Sequence, residues 1–180
     1  MSTEHWVRFA HYNAWANERL YAAVAALPPD AFHADAGAFF GSLCGTLNHL
    51  LAADRIWMRR FTAEGDAPDR LDAILFDDLP RLTEARVAED HRIIRFAKSL
   101  AAAELLVTIR YLRVSSPDVI EQPLGAALAH FFNHQTHHRG QAHALVTRFG
   151  GRASGPVLDL LAFEREQAAR LGLRLAERPS

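Results

Sequence analysis

Apolar residues return at steps of three and four along most of the chain, and that period predicts helices. The first covers about His5 to Leu27, with Phe9, Asn13, Ala16, Leu20, Val24 and Leu27 on one face and Pro28-Pro29 ending it. A loop with Gly37 and Gly41 leads to Ser42, whose hydroxyl suits an N-cap, and a second helix follows to about Phe61. Leu43, Leu47, Leu50 and Trp57 make one apolar stripe on it, and His49, Ala53 and Ile56 make another beside the first. A helix apolar over so wide an arc is expected to pack on two sides, and the second side leaves room for a homodimer.

Glu64 to Asp78 is acidic and interrupted by Gly65 and Pro68, which marks a surface connection with space for one short turn of helix. Pro80 suits the first turn of a third helix, where Leu82, Ile93, Phe96 and Leu100 keep helical spacing around Glu89. From Leu105 to Val114 the composition shifts to β-branched and aromatic residues, which favours a short strand. Ser115, Ser116 and Pro117 make a turn, and Val119 and Ile120 offer a second extended piece, so a β-hairpin is expected here. A fourth helix, from about Pro123 to Phe149, places Ala127, Phe131, His134, His138, Gln141 and Leu145 on one face before Gly150-Gly151 caps it. A fifth is predicted from about Pro156 to Leu171. Residues 1–172 thus read as one all-α unit, with 173–180 as a frayed tail.

Composition narrows what such a bundle does. At 180 residues, 49% hydrophobic and 23% charged, the chain has material for a real core. Its formal net charge of −1 gives no positive field for phosphate backbones, so nucleic acid is not an expected partner. The longest apolar run, Leu20 to Leu27, is far too short to span a bilayer. One cysteine, Cys44, excludes an internal disulfide, and the start MSTEHWVRF lacks the features of a signal peptide, so a cytoplasmic location is expected.

The ten histidines raise metal or proton chemistry. His134 and His138, four apart on one helical face, project the same way and can reach one ion. Two readings fit this pair: metal ligands, or imidazoles hydrogen-bonded within a polar core. The run His134-Gln135-Thr136-His137-His138 lacks the glutamate of the HExxH metalloproteases, which disfavours proteolysis. His49 has the same two readings, and His130 and His137 flank the fourth helix's face as reserve ligands. His143 points to the opposite face, towards solvent. His5, His11, His33 and His91 have no partner at ligand spacing. Gln141 suits an outer partner to an imidazole or to substrate. Asp54, inside an apolar stripe, calls for a buried partner such as an arginine or a ligand histidine. Cys44 reads as a small packing residue.

Three segments carry a family resemblance: YNAWANERL at Tyr12 to Leu20, FGSLCGTLNHLLAADRIW at Phe40 to Trp57, and NHQTHHRGQ at Asn133 to Gln141. In content and order they resemble the DinB family, also called DinB/YfiT-like. The resemblance implies a four-helix bundle with an extra C-terminal helix and a metal held by His49, His134 and His138. Some relatives are thiol-dependent transferases, and one is an isomerase that needs a thiol. An S-transferase joining a low-molecular-weight thiol to a small electrophile is therefore the leading expectation. A non-catalytic metal-binding stress-response protein and a metal-dependent hydrolase are the alternatives. The implied cofactor is a divalent ion, zinc or nickel first, then iron, manganese or copper.

Overall fold

The computed structural model describes residues 2–114 and 116–172. Five helices and a two-stranded sheet follow one another in the order α1 (Thr3–Ala25), α2 (Leu43–Thr62), α3 (Leu79–Ser99), β1 (Thr108–Leu112), β2 (Val119–Pro123), α4 (Leu124–Gly150) and α5 (Leu160–Arg170). Short 3₁₀ turns occupy Pro29–Phe32, Ala102–Leu106 and Arg152–Ser154. The first four helices follow the predicted periods closely because each end carries its own local signal. Ser42 accepts a hydrogen bond from the Gly45 N–H at 3.1 Å, and Asp78 accepts one from the Arg81 N–H at 2.9 Å. Caps of this kind are worth about 1 kcal/mol each.

Three expectations need correction. The extended stretch is shorter than Leu105 to Val114, since Ala102–Leu106 takes a 3₁₀ turn and only Thr108–Leu112 pairs, antiparallel, with Val119–Pro123. The fifth helix starts at Leu160 rather than Pro156, because the Asp159 carboxylate caps it by accepting from the Leu161 N–H at 2.8 Å. The Glu64 to Asp78 connection forms no helical turn. The proposed tail at 173–180 lies outside the described residues.

α1 to α4 pack around a core in which Leu20, Leu43, Leu47, Leu51, Met58 and Leu82 are fully buried. α2 lies at its centre, with 14 of its residues buried. Its wide apolar arc is consumed inside the chain, against α3, α4, β1 and the Pro29–Phe32 turn, which removes the reason for assigning that arc to a second copy. α5 crosses α1, where Phe163 packs between Tyr12 and Trp15, and the Tyr12 hydroxyl donates to the Leu158 carbonyl at 2.7 Å.

A buried polar layer ties the four bundle helices together. Arg86 of α3 reaches Asp54 of α2 at 2.7 Å and Asp90 at 3.0 Å, with Asp54 wholly buried. These are close ion pairs rather than well-aligned hydrogen bonds. Asn13 and Asn17 of α1 donate to Asp90, and Arg139 of α4 donates to both asparagine carbonyls. Burial penalises the Arg86 guanidinium, but Asp90 and Asp54 outweigh it and hold its pKa above the ordinary value. Burial likewise pushes the Asp54 carboxyl up while Arg86 pulls it back. At these distances we take the layer as ionised, two carboxylates against two guanidiniums.

Candidate metal centre

The structure brings His49, His134 and His138 into one cluster whose ligand nitrogens all lie within 4.8 Å of one another. His134 and His138 come from successive turns of α4, as their spacing predicts, and α2 lies beside α4 and presents His49 to them. His49 and His138 are buried and His134 is half-buried. The His49 Nε2 and His134 Nε2 are 3.4 Å apart.

The hydrogen bonds behind these rings decide what they can do. The His49 Nδ1–H donates to the Leu71 carbonyl at 2.7 Å, and the His138 Nδ1–H donates to Gln141 Oε1 at 2.8 Å. A carbonyl oxygen only accepts, so in each neutral ring the proton sits on Nδ1 and Nε2 keeps its lone pair. Burial drives the pKa of His49 down to about 4 and that of His134 down to about 3, and lowers that of His138 as well. His49 and His138 thus each keep an Nε2 lone pair, and the His49 Nε2 at 3.4 Å from the His134 Nε2 can accept a proton from that ring or share a cation with it. Tetrahedral coordination with bonds of about 2.0–2.1 Å separates its ligands by about 3.4 Å, so the His49 and His134 pair has the bite such an ion needs. The donor set fits a divalent ion.

Neighbouring residues set this geometry. Asn48 accepts from the Leu75 and Phe76 N–H groups at 2.8 and 3.0 Å and donates to the Phe76 carbonyl at 2.9 Å. It thereby anchors the connecting segment that carries the Leu71 carbonyl over His49. Phe40 stacks on His49 with ring centroids 3.9 Å apart and meets His138 edge-on. Its carbonyl presses on the start of α2 at Gly45, where any side chain would collide with it. Glycine there allows the loop to fold its aromatic ring onto the site.

The remaining predicted residues divide. Gln141 is the outer partner expected of it, bound to His138 and also donating to His137 Nε2 at 3.3 Å. His130 and His137 are exposed and stand outside the ligand cluster, so neither serves as a reserve ligand in this arrangement. His143 is half-buried against Gly155 rather than solvated. Gln135, in the place of the protease glutamate, is fully buried and donates to Asp54, turned away from the histidines. Asp54 has the arginine partner that its position called for.

Sequence reasoning missed a second grouping. His33, Cys44 and Asp77 also have potential ligand atoms within 4.8 Å of one another. No spacing rule links residues from a turn, a helix and a loop. Here the His33 and Asp77 side chains are 53% and 85% exposed, and burial, then Asp77, raises the Cys44 thiol pKa, which keeps it protonated. The three-histidine cluster is the better-built site. Among the described residues no helix is long and apolar enough to cross a membrane.

The chain is 28% identical over 151 residues to Protein DinB of Bacillus subtilis (strain 168), covering 81% of this chain and 86% of that protein. No solved structure matches it significantly. A family model described as the DinB family matches residues 1–171, nearly the whole sequence, and the chain belongs to the DinB family.

Proposed function

We propose that this protein is a metal-dependent enzyme acting on a small molecule in the cytoplasm, its divalent ion held by His49, His134 and His138. Its most specific form is an S-transferase that joins a low-molecular-weight thiol to a small electrophile. The observation that carries the reading is the convergence of three neutral imidazoles, with the His49 and His134 Nε2 atoms 3.4 Å apart and the Nδ1–H groups of His49 and His138 tied to carbonyl oxygens.

Bound there, a divalent ion would supply Lewis acidity that lowers the pKa of a thiol or of water. The chain's own residues do the rest. Leu71 and Gln141 hold two rings in the ligating tautomer, and Phe40 covers one side of His49 against solvent. A cavity of about 440 Å³ opens beside the cluster with His134 in its wall, which favours a site that admits a reactant over a closed storage site. Three nitrogen ligands leave coordination positions for that reactant.

The test starts with elemental analysis of untagged protein, before and after reloading with zinc or nickel. About one ion per chain, lost in His49→Ala, is the expected result. The loaded protein is then assayed with cellular thiols and model electrophiles. A thiol-dependent rate absent from the His49→Ala control supports the transferase, and hydrolysis without thiol moves the assignment to a hydrolase. Stoichiometric metal with neither activity would return the protein to a non-catalytic metal-binding role.

A further inference from the structure

The cavity beside His134 has a wall composition unlike the rest of the molecule. The chain as a whole carries a formal charge of −1, yet among the described residues no aspartate or glutamate lines this cavity, while Arg60, Arg113, His130 and His134 do. Trp57 and Tyr111 form its aromatic walls.

Arg60 is the informative residue. Its guanidinium sits 4.6 Å from the Trp57 ring centroid and 4.3 Å from that of Tyr111, and donates to the Leu112 carbonyl at 2.9 Å. Two ring faces and one carbonyl hold it in place without neutralising it. Among the described residues neither Arg60 nor Arg113 is paired with a carboxylate, a state they share with arginines such as Arg55, Arg59, Arg81 and Arg95; Arg60 differs in being partly buried in a cavity wall and held between two rings. Burial lowers the pKa of the Arg60 guanidinium. The Tyr111 hydroxyl accepts from the Gln122 amide at 2.7 Å, so its own proton is free to be donated to a guest. A fixed, uncompensated guanidinium presents a planar fork that matches a carboxylate or phosphate.

We infer that this cavity binds the oxyanion end of a small-molecule reactant, a carboxylate or a phosphate, on Arg60 with Arg113 at the rim, leaving the molecule's other end at the His134 side. The final clause rests on the metal-dependent reading, whereas the oxyanion site itself does not.

Two measurements separate these parts. Calorimetric titration of metal-free protein with succinate, and separately with inorganic phosphate, tests the oxyanion site alone. Binding of at least one probe is expected, weakened at least tenfold in Arg60→Gln and several-fold in Arg113→Gln, and unchanged in the remote Arg81→Gln. Preference between the probes identifies the anion. Arg113 is exposed, so its variant remains informative should Arg60→Gln fold poorly. No binding of either probe, or binding indifferent to both substitutions, overturns the inference.

Cobalt-loaded protein is then titrated with mercaptosuccinate and with 2-mercaptoethanol, following the thiolate-to-cobalt absorption. Mercaptosuccinate is expected to produce the band at a concentration at least tenfold lower, with the gap closing in Arg60→Gln. Equal potency of the two thiols overturns the proposed orientation. Failure of cobalt to bind at all counts against the metal reading while the succinate and phosphate result stands.

Discussion

Two polar clusters are buried in this bundle, both drawing on α2 and α4, and they have opposite characters. α2 supplies Asp54 to one and His49 to the other; α4 supplies Gln135 and Arg139 to one and His134 and His138 to the other. Each of the two α4 histidines is followed directly by a member of the opposite cluster, because successive residues on a helix point about 100° apart. The Arg86 cluster matches two carboxylates with two guanidiniums inside the protein. In the histidine cluster His49 and His138 keep Nε2 lone pairs, and among the described residues the His49 Nε2 meets only the His134 Nε2, at 3.4 Å. A buried polar group costs free energy unless it is partnered. The first cluster therefore completes the fold, and the second is left for something from outside.

The largest test of this contrast is to break the closed cluster. Arg86→Met removes the cation between Asp54 and Asp90 and leaves two buried carboxylates with Arg139 as their one remaining guanidinium. A loss of about 3–5 kcal/mol in urea-unfolding stability is expected. A loss below about 1 kcal/mol would show that the layer contributes little and that the comparison is wrong. The histidine cluster should behave in the opposite way: His49→Ala, measured without metal, is expected to leave stability nearly unchanged.

Adding metal should then reverse that indifference. An ion that binds only the folded state, at a hundredfold excess over its Kd, stabilises by about 2.7 kcal/mol. Wild-type protein is expected to show such a gain with zinc or nickel in thermal unfolding, and His49→Ala is not. An equal gain in both would place the ion elsewhere, with the His33, Cys44 and Asp77 grouping as the first candidate.

A smaller effect is expected one step out from the ions. Gln141→Ala frees the His138 ring to rotate and to change tautomer, and loss of an outer partner of this type weakens metal binding about 10–100-fold. Competition with a chromophoric chelator measures it. Gln141→Glu should restore most of the affinity, since a carboxylate also accepts from Nδ1–H. No change in either variant would reduce Gln141 to a packing residue.

The two clusters also differed in how far the sequence disclosed them. The helices were legible because apolar spacing and terminal residues such as Ser42 and Pro80 act locally. The His134 and His138 pair was legible for the same reason, being one turn of one helix. His49 was not, since nothing local distinguishes it from a packed core histidine, and it joined the site only through the pattern shared with the family. Of the closed cluster, only Asp54 signalled itself, as a carboxylate within an apolar stripe. Asn13 sat on a face that read as apolar, and nothing local in the sequence marks Arg86, Asp90 or Arg139 as buried. Their burial depends on which helix faces meet, a tertiary fact with no counterpart in spacing. The late start of α5 has a local cause, the Asp159 cap, which competed with Pro156 as a start signal and won.

The finest distinction is one of pH. In the unfolded chain His49 and His134 titrate near 6.5, and in the metal-free fold burial lowers them to about 4 and about 3. Between those limits the unfolded state binds more protons than the folded one, so stability rises with pH across that window. The metal-free protein should hold full stability above pH 6.5, lose some as pH falls below it, and stop losing on this account once the folded rings protonate near 4 and 3. The doubly substituted His49→Ala, His134→Ala protein should lose less over that interval, and the difference between the two denaturation curves isolates the cluster. If the curves run parallel from pH 7 to pH 4, the rings are not held neutral by burial, and their readiness for a cation has no electrostatic basis.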